Sequence, residues 1–241
     1  MIRFFTDPMN ISAQTIRLSA DDSAHIRALR LKPDERFIVC DGDSTDYICK
    51  LSPRDGGTTA QIVKKERSRG EPTVECRVYM AFSKGDRLDY AVQKSVELGA
   101  VEMSLFESER CVSIPRDIQK KTTRLQRIAL ETAKLCNRGI IPAVSYAGAF
   151  EEAVSAAADS SAQTLFFYEC EDQLQIKEVL ESRDTSSVSI ITGPEGGFEP
   201  HEAELVRSKG IQTISLGPRI LRSETAPVIA LAAVMYQTGN L

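Results

Sequence analysis

The chain of 241 residues and 26.6 kDa is 42% hydrophobic and 27% charged, the balance of an ordinary folded protein large enough to bury a real core, and no disorder is implied. A formal charge of −4 and a pI of about 5.4 exclude a molecule coated in positive potential for non-specific nucleic-acid binding, though they leave room for a local basic face. Cys40, Cys49, Cys76, Cys111, Cys136 and Cys170 form no CxxC pair and read as reduced thiols, and with only His25 and His201 there is little from which to build a metal site or a His-based triad.

From the N-terminus, Met1 to Pro8 lacks the apolar run of a signal peptide, and the longest apolar stretch, Val228 to Tyr236, is far short of a membrane span. The expectation is a cytoplasmic protein without membrane contact. Residues 1–70 are β-rich, with short strands expected at Ile2 to Phe5, Thr15 to Leu18, Arg36 to Cys40, Tyr47 to Leu51 and Thr59 to Lys65. Turns are expected at Asp41 to Asp43 and Pro53 to Gly57, and a helix at Asp22 to Leu29 with Ser19 or Asp21 as its cap. Short strands joined by tight turns fit a small barrel. Arg69 to Thr73, with its glycine and proline, marks a domain boundary.

Residues 74–241 have a different rhythm. Strands are expected at Val74 to Phe82, Val101 to Phe106, Thr164 to Tyr168, Val188 to Thr192 and Ile211 to Leu216. Helices are expected at Asp86 to Leu98, Ile118 to Cys136, Phe150 to Ala158, Leu174 to Glu181, Pro200 to Lys209 and Thr225 to Tyr236. The helix from Ile118 should turn Leu125, Ile128, Ala129, Thr132 and Leu135 inward. This alternation predicts an α/β domain whose parallel sheet is covered on both faces. Two basic clusters, Lys64 to Arg69 and Arg116 to Arg127, read as solvated faces when each is taken alone.

Two loops bear glycine after apolar runs: Gly193-Pro194-Glu195-Gly196-Gly197, and Leu216-Gly217 continuing to Ala226. They are expected to leave the same end of neighbouring parallel strands, where α/β folds form ligand crevices. The first loop has neither the lysine and hydroxyl of a P-loop nor the spacing of a dinucleotide fingerprint, and Glu195 and Glu199 would repel phosphate. A ligand with a cationic or donor-rich part suits it better. In the second loop, Arg222-Ser223-Glu224 stands either as a plain helix cap or as chemistry; spacing leaves both open.

ITGPEGGFEPHEAEL followed by ISLGPRILRSETAPVIAL resembles the C-terminal signature of the 16S rRNA uridine-N3 methyltransferases of the SPOUT superfamily. Ile2-Arg3-Phe4-Phe5, His25 to Leu31 and Gln93 to Gly99 extend the likeness along the chain. The LRSETA element, Leu221 to Ala226, is its most specific part. The resemblance implies a PUA-like barrel at 1–70, a SPOUT domain at 74–241 with a deep C-terminal trefoil knot, and a homodimer. It also implies S-adenosyl-L-methionine as methyl donor and 16S rRNA or the small ribosomal subunit as partner. Within Glu131 to Arg138 the family usually has glutamine where Leu135 stands and a small residue, often glycine, at Asn137.

On this reading Thr192, Gly193, Pro194, Gly197, Leu216, Gly217, Ile220, Leu221, Thr225 and Ala226 hold the cofactor. Arg222 orients the uracil or stabilises its developing charge, while Glu195 and Glu224 are candidates to accept the N3 proton. Arg3, Arg27, Arg30 and Lys32 would grip RNA from the barrel, with Arg110 and Arg138 lining the catalytic mouth. A ribose 2′-O-methyltransferase and a non-catalytic RNA-binding assembly factor are the competing readings. Pro194 and Ser223-Glu224-Thr225, where the 2′-O relatives usually carry asparagine and serine-asparagine, oppose the former.

Overall fold

The computed structural model describes residues 1–52, 59–182 and 185–241; the turn expected at Pro53 to Gly57 lies outside them. The chain forms two compact units, Met1–Glu71 with Ala133–Ile141, and Pro72–Thr132 with Pro142–Leu241. The stretch Ala133–Ile141 thus leaves the expected second domain and goes with the first. One carboxylate explains the attachment: Glu71 accepts two-pronged hydrogen bonds from Arg138 at 2.8 to 3.0 Å and also the backbone N–H groups of Gly139 and Ile140 at 2.6 and 3.0 Å.

Among its described residues the first unit contains strands β1 (Arg3–Phe5), β2 (Thr15–Arg17), β3 (Phe37–Cys40), β4 (Thr45–Leu51) and β5 (Thr59–Arg67), with helix α1 (Ala20–Ala28) after β2. They form a small sheet in the order β1-β3-β4-β5-β2, in which β1 and β3 run parallel and the other neighbours antiparallel. Alternation puts Phe37 and Val39 of β3 and Tyr47 and Cys49 of β4 into one core with Phe4, Ile16 and Ile26. Ser19 caps α1 by accepting the Asp22 N–H at 3.0 Å. Beneath this sheet Arg3 donates to both oxygens of Asp46 at 2.6 and 2.7 Å, and Ser68 adds a third hydrogen bond to the same carboxylate.

The second unit is built on a sheet of β6 (Glu75–Ala81), β7 (Glu102–Glu107), β8 (Ala143–Ala149), β9 (Gln163–Phe167), β10 (Ser187–Thr192) and β11 (Thr213–Ile214). Every pairing is parallel and the order is β11-β9-β10-β6-β7-β8. The connecting helices are α2 (Arg87–Glu97), α3 (Ile118–Leu135), α4 (Phe150–Ser160), α5 (Ile176–Ser182), α6 (Pro200–Ser208) and α7 (Ala226–Gln237). The central strands are apolar on both faces, as helix-covered strands must be: Val188, Ile190 and Ile191 of β10 are all fully buried.

Three sequence expectations are corrected here. Strand β8 was missed because in Ala143–Ala149 only Val144 and Tyr146 are strong strand formers, the other five residues being alanine, serine and glycine. The strand expected over Ile211 to Leu216 shrinks to Thr213–Ile214, since its pairing with β9 covers two residues. Leu135, expected inward, is 81% exposed, because the ten residues separating it from buried Leu125 are not a whole number of helical turns. Asn137, two residues further on, adopts φ 63°, the left-handed conformation that asparagine tolerates better than most residues where a glycine would otherwise end a helix.

Candidate active site

The two glycine-bearing loops leave the same edge of the sheet, as expected, but the expectation that their strands are neighbours is corrected: β9 lies between β10 and β11. They straddle the exit of β9 and enclose a cavity of about 830 Å³ at the C-terminal ends of these three strands. Ligands of open α/β sheets bind at such an edge, where strand order departs from chain order.

The first loop is anchored by its aromatic end. Phe198 is buried, stacks parallel to Phe106 at 6.4 Å and packs on Phe166 at 4.5 Å, and its ring lies directly beneath Gly193. The loop then turns tightly, the Gly197 N–H donating to Pro194 O at 3.0 Å. Gly197 has φ 70°, and a Cβ there would overlap the Glu169 carboxylate, which itself accepts the Phe198 N–H at 3.0 Å. Glu195 lies across from this turn, accepting the Lys84 N–H at 2.7 Å and pairing with Arg87. Burial raises its pKa, but the Lys84 and its own N–H groups and the Arg87 guanidinium outweigh burial and hold it below the ordinary carboxylate value.

The second loop follows β11, passes Gly217 at φ 102°, and closes as a turn in which Arg222 O accepts the Thr225 and Ala226 N–H groups at 2.8 and 3.0 Å. Neither of the polar residues caps α7: Ser223 donates instead to Glu224 at 3.3 Å, and Thr225 makes no side-chain cap. Glu224 is largely buried and lies 3.6 Å from Arg87 Nε and 3.9 Å from Arg222. The Arg222 side chain is 82% exposed. Four charged side chains, alternating in sign, therefore run along the rim of the cavity from Glu195 through Arg87 and Glu224 to Arg222.

Thr192, Gly193, Pro194 and Gly197 line the cavity from the first loop, and Leu216, Gly217, Ile220, Leu221 and Ala226 from the second; Thr225 does not line it. Sequence reasoning missed Arg87, Phe198 and the exit of β9, Tyr168 to Asp172, which supplies Glu169 and Glu171 to the wall. The run of acids after an expected strand was the available signal for the last. The lining fits the donor-rich ligand expected: Glu169, Glu171, Glu195 and Glu224 face it, and Glu195 Oε2 is buried without a hydrogen-bond partner among the described residues. Among the described residues no three His, Cys, Asp or Glu side chains converge as a metal ion would require.

The expected RNA contacts divide. Arg27, Arg30 and Lys32 are exposed on the first unit. Arg110 is partly exposed and joins the first loop of the second unit, donating to Gly196 O at 3.0 Å and pairing with Glu199. Arg3 and Arg138 are corrected: their side chains are each 2% exposed and are consumed by Asp46 and Glu71, so neither is presented to a ligand. A guanidinium beside a carboxylate in a dry interior keeps its hydrogen bonds rather than trading them for solvent.

Residues 70–235 match the family model described as RNA methyltransferase domain, and residues 18–63 match the RNA methyltransferase PUA domain. The ribosomal RNA small subunit methyltransferase E of Bacillus subtilis (strain 168) is 30% identical over 237 residues, 95% of this chain and 93% of that protein. The crystal structure of a ribosomal RNA small subunit methyltransferase E from Neisseria gonorrhoeae bound to S-adenosyl methionine aligns with a TM-score of 0.87 and 29% identity, covering 98% of this chain and 97% of that one. A Legionella pneumophila methyltransferase solved with bound SAM aligns with a TM-score of 0.84 and 25% identity, covering 98% and 97%. With two thirds of its length matched by the catalytic-domain model and its N-terminal sheet by the PUA model, the chain belongs to the RNA methyltransferase family.

Proposed function

We propose that the protein transfers the methyl group of S-adenosyl-L-methionine to N3 of a uridine in 16S rRNA of the small ribosomal subunit. The observation that carries this reading is the cavity between the two glycine-bearing loops, with exposed Arg222 at its rim. It is supported by the family, by the relatives named small subunit methyltransferase E, and by the similar structures solved with this cofactor.

Bound S-adenosyl-L-methionine supplies a methyl group on a sulfonium; the protein must orient the acceptor and exclude water. The backbones of Thr192, Gly193, Pro194 and Gly197 on one side and of Leu216, Gly217 and Leu221 on the other approach the ligand closely because the glycines present no Cβ. Glu195, through its unpartnered Oε2, accepts from a donor on the ligand. Uridine N3 bears a proton on the pairing edge, so the base must be unpaired or turned out of its stack, and that proton must leave. Arg222, exposed and only loosely associated with Glu224, swings to the uracil oxygens and stabilises the charge left by proton loss. Glu224 is the better placed proton acceptor, since it lies beside Arg222 and only 3.6 Å from Arg87, whereas Glu195 is engaged by direct hydrogen bonds from the Lys84 N–H and Arg87.

Arg27, Arg30 and Lys32 of the first unit and Arg110 of the second contact the surrounding RNA. A homodimer, a C-terminal trefoil knot and a cytoplasmic location complete the proposal; no described helix is long and apolar enough to cross a membrane. Mass spectrometry of nucleosides from small-subunit rRNA, with and without the gene, tests it. Loss of 3-methyluridine in the deletion and its return on complementation is the expected result, and unchanged 3-methyluridine would reassign the substrate.

A further inference from the structure

Strands β10 and β11 are not hydrogen-bonded to each other, and β11 pairs with β9 over only two residues, so the sheet alone fixes the second loop weakly against the first. A side chain from outside both loops spans the gap. Arg87, which follows β6 on the far side of β10, takes one carboxylate from each loop: Glu195 by a direct ion pair and Glu224 at 3.6 Å from Nε.

The local sequence around Arg87 makes sense only with those partners. It is the first residue of α2, where a cation meets the positive end of the helix dipole, and Asp86, standing at the cap, makes no side-chain capping hydrogen bond. Both local preferences are broken at once, a pattern that marks functional positions. The partners of Arg87 come from the loops, with Glu195 also taking the Lys84 N–H that precedes the helix.

We infer that Arg87 is a positioning residue of the cofactor site, tying the first loop to the second through one carboxylate from each, so that without it cofactor affinity becomes dependent on pH. The inference rests on the S-adenosyl-L-methionine reading above. The charged groups facing Arg87 are Glu195 from the first loop, and Glu224, with Arg222 beside it, from the second. On its own helix Asp89 is occupied by Lys121 and Arg124 of α3, and the Cys111 thiol lies within the field of Glu195. Burial raises the Glu195 carboxyl, and the Arg87 hydrogen bond and charge are among the groups that hold it below the ordinary value. With Arg87 gone the burial of Glu195 is opposed less and its pKa rises, while Glu224 keeps Arg222 beside it. Lower pH then protonates Glu195 and restores the loop geometry.

Calorimetric titration with S-adenosyl-L-methionine from about pH 8 to about pH 5.5 tests this on the full chain, alongside melting temperatures. Wild-type affinity should hold within about twofold, whereas Arg87→Met should bind about tenfold more weakly at the alkaline end and recover most of that loss at the acid end. Arg87→Lys, which keeps the charge but reaches one carboxylate, should fall between. A loss that is equal at all pH values overturns the inference. If wild type does not bind the cofactor, the functional reading fails, and the clamp is judged on melting alone. A gap between wild type and Arg87→Met that narrows on acidification supports it, and a constant gap refutes it.

Discussion

In the first unit Arg3 and Arg138 have 2% side-chain exposure and pair with Asp46 and Glu71, while in the second Arg87 and Arg222 at the cavity and Arg110 on the first loop are 36%, 82% and 39% exposed. The same side chain is thus used in two ways. Where the carboxylate is buried with it, arginine fixes chain segments that are distant in sequence, Arg3 to β4 and Arg138 to the residue before Pro72. Where the carboxylates stand at a rim, arginine remains available to a ligand or sets the spacing of the loops that hold one. Residue type and local motif do not separate these roles; the partner and its burial do.

The comparison breaks most readily at the buried pairs. Asp46→Asn leaves Arg3 charged in the interior, and denaturant unfolding should show a loss of about 3–5 kcal/mol. Acid should reveal the same pair. Burial raises the Asp46 carboxyl, but the Arg3 and Ser68 hydrogen bonds and the Arg3 charge carry it below its ordinary value. Its contribution to stability is therefore complete above the ordinary carboxylate range and is lost as pH falls through the lower folded value. In an acid-unfolding titration, Asp46→Asn should have a shallower pH dependence than wild type, and an identical slope would count against the pair.

Removing Arg222 should reverse the pattern. Arg222→Ala is expected to lower turnover about 100-fold, with cofactor affinity by calorimetry and melting temperature both near wild type, since the side chain is exposed and its ion pair with Glu224 is long at 3.9 Å. Equal turnover would remove it from the mechanism. Gly197→Ala tests the loop itself: a methyl at φ 70° against Glu169 should cost about 1–3 kcal/mol in stability and weaken cofactor binding. The smallest effect is expected at Arg110→Ala, which loses a partly exposed pair with Glu199. Melting should not move, whereas weakened RNA binding with a shallower salt dependence would show that Arg110 meets phosphate.

Much of this could be read without coordinates. Alternating strand and helix patterns from Val74 onward specified a parallel sheet, and GPEGG and LRSETA pointed to the loops that now line the cavity. Ser19 was legible as a cap because capping is a contact three residues long. Strand β8 was not, since its alanines and glycine pack well only once β7 lies beside them. Phe198 escaped notice because a single aromatic after a glycine turn announces nothing until Phe106 and Phe166 surround it.

By itself the amino-acid sequence determined the elements, the two glycine-bearing loops and the family to which they belong, because hydrophobic period, turn chemistry and motif spacing are local properties. Only the tertiary structure decided that β9 separates the two loop-bearing strands, that Glu71 draws Arg138 out of solvent, and that Arg87 sits between Glu195 and Glu224. Each of these depends on which distant groups share a dry or crowded volume, and the energy of a charge is set by that volume rather than by its neighbours in the chain.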